Sequence, residues 1–245
     1  MKRAVLLSRV IAAILAAAAL AGGPGGPAFA YTWLNNQMGG GLCPGWDLIY
    51  LKWPLIQGLG LVNGGIWINP NCPDPSSEGD SEEDALIRAM DTWNAADANF
   101  TLVYSGITSA TPYDGSYNPD LSDNLSVVGW NPNIDGEGGL IAQTWTFFEC
   151  WGEILEADVE FDDVHPWSSL EIKPLGSFDI ESVALHEFGH VIGHGENYAN
   201  TSAAMFPNFS VDSVRRELDE NDDTVGVQWA YGTRIAGVED FRVYE

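Results

Sequence analysis

His186-Glu187-Phe188-Gly189-His190-Val191-Ile192-Gly193 sets two imidazoles four residues apart with a carboxylate beside the first. On a helix, residues i and i+4 lie one above the other. Both rings can therefore reach one tetrahedral zinc while Glu187 leans over the open coordination position. Of the chain's four histidines, three (His186, His190 and His194) fall inside this short stretch and its edge. Such clustering in a histidine-poor chain argues against two histidines meeting by accident on an ordinary core helix, and for a hydrolytic metal site.

Outward from the motif, Phe178-Asp179-Ile180 opens the helix, with Asp179 as its N-cap, and Gly193 and Gly195 close it. Further upstream, Ser126 to Trp130, Leu140 to Phe147 and Ile154 to Phe161 read as strands. Alternation is clearest in Ala157-Asp158-Val159-Glu160-Phe161, which implies a sheet with one solvated face. Cys150-Trp151-Gly152-Glu153 is the hairpin turn between the last two. Leu48 to Trp53, Gly65 to Asn69 and Phe100 to Tyr104 carry the aromatic and β-branched bias of earlier strands. Between them Ser81, with Asp84 three residues on, caps a helix whose Ala85, Leu86, Ala89, Met90 and Trp93 recur at helical spacing. Leu218 to Tyr231 reads as a third helix, acidic at its start, and residues 232 to 245 as a short tail.

The first thirty residues have the layout of an export signal. Lys2, Arg3 and Arg9 supply the positive start, Val10 to Ala21 the apolar run, and Ala28-Phe29-Ala30 the cleavage site. The apolar run is short for a membrane span of about 20 residues and breaks at Gly22-Gly23-Pro24, so no retained anchor is expected. That leaves residues 31–245 as one exported domain, with its core at about 48–232 and a monomer as the expected state. Ten basic residues against thirty-five acidic ones give a net charge of −25, which argues against nucleic acid as a partner. The acid excess fits a solvated, self-repelling surface, one adapted to salt or one loaded with calcium. Three cysteines are an odd number for an exported chain. Cys43 and Cys72, flanking the first strands, are the expected pair, with Cys150 left alone at the hairpin turn.

The order of elements and the motif together resemble the metzincin clan of zinc endopeptidases, and within it a matrixin-like catalytic domain of a secreted bacterial type. Ala85 to Trp93 resembles the family's backing helix. Leu140 to Phe147 is similar to its edge strand above the cleft, and Ala203-Ala204-Met205-Phe206-Pro207 to its Met-turn, whose methionine floors the metal. The resemblance implies an α+β fold: a twisted, mixed, mostly parallel five-stranded sheet with a backing helix, a zinc-site helix and a C-terminal helix. It implies hydrolysis of peptide bonds in a protein or peptide substrate by zinc-activated water, with Glu187 as general base. The substrate is expected to lie extended along Leu140, Ile141 and Ala142. Asp162 and Asp163 resemble the acidic loop that takes calcium in relatives.

One position departs from the family pattern. The third zinc ligand stands ten residues after the first, and here that position is Glu196 instead of histidine. Two histidines with one carboxylate is a known catalytic set, which makes His186, His190 and Glu196 the expected ligands. His194, two residues early, is the rival if the loop is shifted, and a damaged site with neither remains a third case. The altered ligand, with ten tryptophans, motivates an alternative function: a catalytically impaired surface or binding protein on the same fold. Most of the tryptophans, and an exposed His165, are expected to have structural roles.

Overall fold

A computed structural model describes residues 3–11, 33–34, 50–56, 59–72, 81–113, 123–131, 134 and 139–234, the first of these segments as backbone only. The expected cleavage site after Ala30, Cys43, the centre of the loop after Ser105 and the tail beyond 234 lie outside the described residues. The strands are β1 (Arg3–Ile11), β2 (Leu55–Ile56), β3 (Leu59–Leu61), β4 (Ile66–Ile68), β5 (Phe100–Thr101), β6 (Tyr104–Ile107), β7 (Ser126–Asn131), β8 (Leu140–Glu149), β9 (Ile154–Asp162), β10 (Trp167–Ser168) and β11 (Phe178–Asp179). Three helices join them: α1 (Glu82–Asn94), α2 (Ile180–Ile192) and α3 (Asp223–Tyr231).

The main sheet runs β1-β8-β9-β7-β4-β6. Pairings β6–β4, β4–β7 and β7–β9 are parallel, and β9–β8 is antiparallel, which gives the expected mixed five-stranded sheet. A sixth strand was not expected. β1, read above as the start of an export signal, pairs antiparallel with the outer edge of β8 from Arg3↔Glu149 to Ile11↔Leu140. The Cys150–Glu153 turn closes as read: Gly152 N–H donates to Glu149 O, and Glu149 N–H to Glu153 O. Gly152 sits at φ 94°, where a Cβ is disfavoured.

Two expected strands come out differently. Leu48–Trp53 forms no strand among its described residues. Lys52 instead bridges Glu153, with Lys52 N–H on Gly152 O and Ile154 N–H on Lys52 O, so the segment braces the hairpin turn. Phe100–Tyr104 divides into β5 and the start of β6. The break falls at Leu102, whose N–H and C=O are taken by the Asn94 side chain at the end of α1. Helix α3 is shorter than predicted, beginning at Asp223, because Asp219 to Asp222 are tied into turns by Asp222 N–H on Asp219 O and Thr224 N–H on Asp219 O.

Helix α1 starts as its sequence dictates. Ser81 accepts from Asp84 N–H and Asp84 reaches back to Ser81 N–H, a reciprocal cap. Its face of Ala85, Leu86, Ala89, Met90 and Trp93 is buried against α2. All thirteen residues of α2 are buried. Three aromatic side chains fix it in place through its backbone: Trp93 Nε1 donates to Leu185 O, Trp53 Nε1 to Val191 O (2.7 Å each), and Tyr231 OH to Ile192 O at 2.7 Å. These carbonyls belong to a helix that is buried throughout, where water does not reach them, so each bond matters more than its surface equivalent. Of the ten tryptophans, Trp33, Trp53, Trp93, Trp130 and Trp167 are core residues, whereas Trp151 and Trp229 are exposed.

Cys150 corrects the cysteine expectation. It is fully buried at the end of β8 and disulfide-bonded, so it is not the residue left alone. Among the described residues, no helix is long and apolar enough to cross a membrane.

Candidate metal centre

Helix α2 begins where Asp179 accepts Ser182 N–H and ends at Gly193, whose φ of 117° turns the chain out of the helix. Between these caps His186 and His190 present their Nε2 atoms on one face. The chain then doubles back, and Glu196 arrives opposite them. His186 Nε2 lies 3.4 Å from Glu196 Oε2, and His190 Nε2 lies 3.5 Å from Glu196 Oε1. Among the described residues this is the one group of three or more His, Cys, Asp or Glu side chains with ligand atoms within 4.8 Å of one another.

The spacing fits a small divalent ion. Ligand atoms about 2.0–2.1 Å from a tetrahedral zinc stand roughly 3.4 Å apart. Ring tautomers agree. His186 Nδ1 is 2.7 Å from Ala204 O and His190 Nδ1 is 2.8 Å from His194 O. A carbonyl can only accept, so each Nδ1 carries the proton and each Nε2 presents a lone pair. Both Nε2 atoms are buried without a hydrogen-bond partner. That arrangement is costly for a polar atom unless something binds it. The donor set of two imidazoles and one carboxylate suits zinc.

His194 is placed elsewhere. Its ring is fully buried between Trp33 (4.5 Å) and Trp93 (5.2 Å), and neither ring nitrogen has a hydrogen-bond partner. Burial drives its pKa down to about 3, so it is neutral. A Cβ on Gly226 of α3 would come within 2.2 Å of His194 Cε1, which explains a glycine in that helix. The role visible for His194 is its carbonyl, which orients His190.

Glu187 is fully buried, and burial pushes its carboxyl up to about 8 in the metal-free chain, against the pull of His190 and a hydrogen bond from Thr144. Thr144 Oγ1 donates to Glu187 Oε2 at 2.5 Å, and Oε1 is left without a partner. Thr144 stands on β8 two residues beyond Ala142, so this bond ties the edge strand to the helix. Sequence reading missed it, although the period-two pattern of β8 puts Ala142 and Thr144 on one face. Leu140 is partly buried, and Ile141 and Ala142 are buried.

Met205 lies under the helix. A Cβ on Gly189 would meet its Sδ at 2.1 Å, so glycine is what lets the turn approach so closely. Asp223, at the first turn of α3, holds this turn. Its Oδ2 accepts from Ala204 N–H at 2.7 Å and Asp219 N–H at 2.8 Å, and its Oδ1 from Met205 N–H at 3.3 Å. Asp223 therefore fixes the peptide whose carbonyl orients His186. Nothing local in the sequence marked it.

The expected calcium loop is less complete. Asp162 is buried at the end of β9, one oxygen accepting from Val164 N–H and the other 3.4 Å from His165 Nε2. Among the described residues, no cluster of three metal-ligating side chains forms around it and Asp163. His165 is half-buried against Phe178 instead of exposed.

Human matrix metalloproteinase-16 is 28% identical over 172 residues, covering 67% of this chain and 25% of that protein. Matrix metalloproteinase-27 of Tupaia belangeri is 29% identical over 153 residues, 61% of this chain and 26% of that protein. Metalloendoproteinase 4-MMP of Arabidopsis thaliana is 46% identical over 103 residues, 41% of this chain and 27% of that protein. The matched region thus spans about a quarter of the length of these relatives. The family profile described as matrixin matches residues 73–232, from before α1 to just past α3 and across the whole candidate centre, and the chain belongs to the matrixin family.

Proposed function

We propose that the chain is an exported zinc-dependent endopeptidase in which His186, His190 and Glu196 hold the metal. The observation that carries this is the convergence of three ligand atoms at tetrahedral spacing beside a buried glutamate. Zinc held there would polarise the scissile carbonyl and acidify the attacking water. Glu187 Oε1 takes a proton from that water and passes it to the leaving amine, while the Thr144 hydroxyl keeps Oε2 in place. Substrate lies along Leu140, Ile141 and Ala142. Support for this comes from β1, an extended segment already paired with that edge through Val10↔Ala142 and Ile11↔Leu140. Met205 supplies the apolar floor.

The test combines metal analysis with turnover. Residues 31–245 should bind about one zinc per chain and cleave an unfolded general protein substrate. A chelator should stop cleavage and added zinc restore it. Glu187→Gln should keep the zinc and lose activity. A folded protein that takes no zinc, or zinc-loaded protein without turnover, would favour the alternative of a non-catalytic binding protein. Titrating the zinc-loaded protein with calcium tells whether the Asp162–Asp163 loop takes a second metal.

A further inference from the structure

Beside the candidate metal centre stands a cation, Arg215, with no carboxylate partner among the described residues. Arg88 and Arg216 are ion-paired with Glu181 and Asp179. Arg215 instead bonds only backbone carbonyls through its side chain: Nη1 donates to Ala203 O (2.9 Å) and Phe206 O (2.7 Å), and Nη2 to Asn208 O at 2.8 Å. Its guanidinium lies over the Phe209 ring at 3.9 Å, and that ring meets the His186 ring edge-on at 5.5 Å. Arg215 N–H donates to Ser182 Oγ at 2.7 Å. Ser182 is four residues before His186 and therefore on the same face of α2. These contacts place Arg215 one helical turn along α2 from a candidate ligand, bonded to the loop that carries Met205.

Three of the five guanidinium N–H groups are used, and the Nε–H and one Nη2–H have no partner among the described residues. A half-buried guanidinium held by carbonyls keeps its charge and can still take a carboxylate. Burial lowers its pKa to about 10, with Asp223 and Glu196 drawing it back up, so it is cationic at neutral pH. The chain as a whole carries a net charge of −25, so a cation at this place is set against an overall field that repels acidic peptides.

We infer that Arg215 is a specificity-determining residue: it selects peptides with an acidic side chain, glutamate above all, next to the scissile bond. The Phe206 and Phe209 rings back the guanidinium at 5.6 and 3.9 Å and hold its plane, and the two unused N–H groups suit a carboxylate. This rests on the peptidase reading of the site.

The experiment uses the zinc-loaded full chain and fluorogenic peptides that differ only in the residue on either side of the cleaved bond: Glu, Gln, Leu or Lys. The Glu peptide should exceed the Lys peptide at least tenfold in kcat/KM at one of the two positions, with Gln between. In Arg215→Met that ratio should fall to near one, and Arg215→Lys should keep most of it. Arg215 also holds the loop, so Arg215→Met will slow every peptide. The ratio between peptides is insensitive to that loss. A wild-type ratio near one, or a ratio unchanged in Arg215→Met, overturns the inference. If no peptide is cleaved, the peptidase reading fails. Affinities of the same peptides for the zinc-loaded chain then decide the inference, with Glu bound at least tenfold tighter than Lys supporting it and equal affinities overturning it.

Discussion

Glu196 and His194 separate at the level of single atoms. Glu196 faces both imidazoles, and His194 is locked between two indoles. Glu196→Ala should therefore lose most of the zinc and the activity, measured by metal content after dialysis. Glu196→His should retain zinc. His194→Ala should lose stability from its core cavity yet keep about one zinc per folded chain. A metal-free His194→Ala beside a fully loaded Glu196→Ala would reverse the assignment. Thr144 offers a second check. Removing its hydroxyl strips a hydrogen bond from a charged group, worth about 1.5 kcal/mol or more. Thr144→Val should thus lower kcat about tenfold or more with zinc content unchanged. The ligand choice was open in the sequence because a two-residue shift of loop swaps one candidate for the other, and the path after Gly193, which sets Glu196 opposite both imidazoles, is not written in any local pattern.

Packing between elements governs the next scale, where α2 rests on the turn around Met205. Gly189→Ala forces a methyl into Met205 Sδ, and overpacking of this kind costs about 1–3 kcal/mol. A lower urea midpoint together with weaker zinc retention is the expected result, and an unchanged pair of values would show that the turn yields freely. Asp223 gives a pH signature to the same contact. Burial, aided by the Asp222 charge, lifts its carboxyl from 3.8 to about 6, against three N–H groups that pull it down. A group whose folded pKa is raised stabilises fully below its unfolded pKa and loses that contribution as pH rises through the folded value. In chelator-treated protein, the wild-type advantage attributable to Asp223 should shrink between about pH 4 and 7, by an amount of order 2–3 kcal/mol. Asp223→Asn, which does not titrate, should lack that part of the slope in urea unfolding followed by circular dichroism. The helices were legible because caps and 3.6-residue periodicity are local: Ser81 with Asp84, and Asp179 with Gly193, mark their own ends. Short strands such as β2, β3, β10 and β11, and the division at Leu102, depend on partners far along the chain. Periodicity over two or three residues carries no such information.

Across the molecule, charge and topology act together. At a net charge of −25 the folded state repels itself. Raising salt from about 0.01 to 1 M contracts the screening length from roughly 30 to 3 Å. The melting temperature should climb over that range, and a flat profile would mean that the acids are already compensated locally. The order of the main sheet was readable because the motif and its flanking strands resemble a known family. β1 was not, since its residues match an export signal and nothing in their pattern names β8 as a partner. Its register has a practical consequence. A nine-residue strand lies along β8, and if substrate pairs there as proposed, the uncut chain would be its own competitor. A free peptide with the sequence of residues 3–11 should inhibit residues 31–245 competitively, raising KM and leaving kcat alone. The full-length chain should be slower than the shortened one until a protease cuts near Ala30. On that account, trimming the leader would time the onset of activity, and the enzyme would stay quiet until it has left the cell that made it.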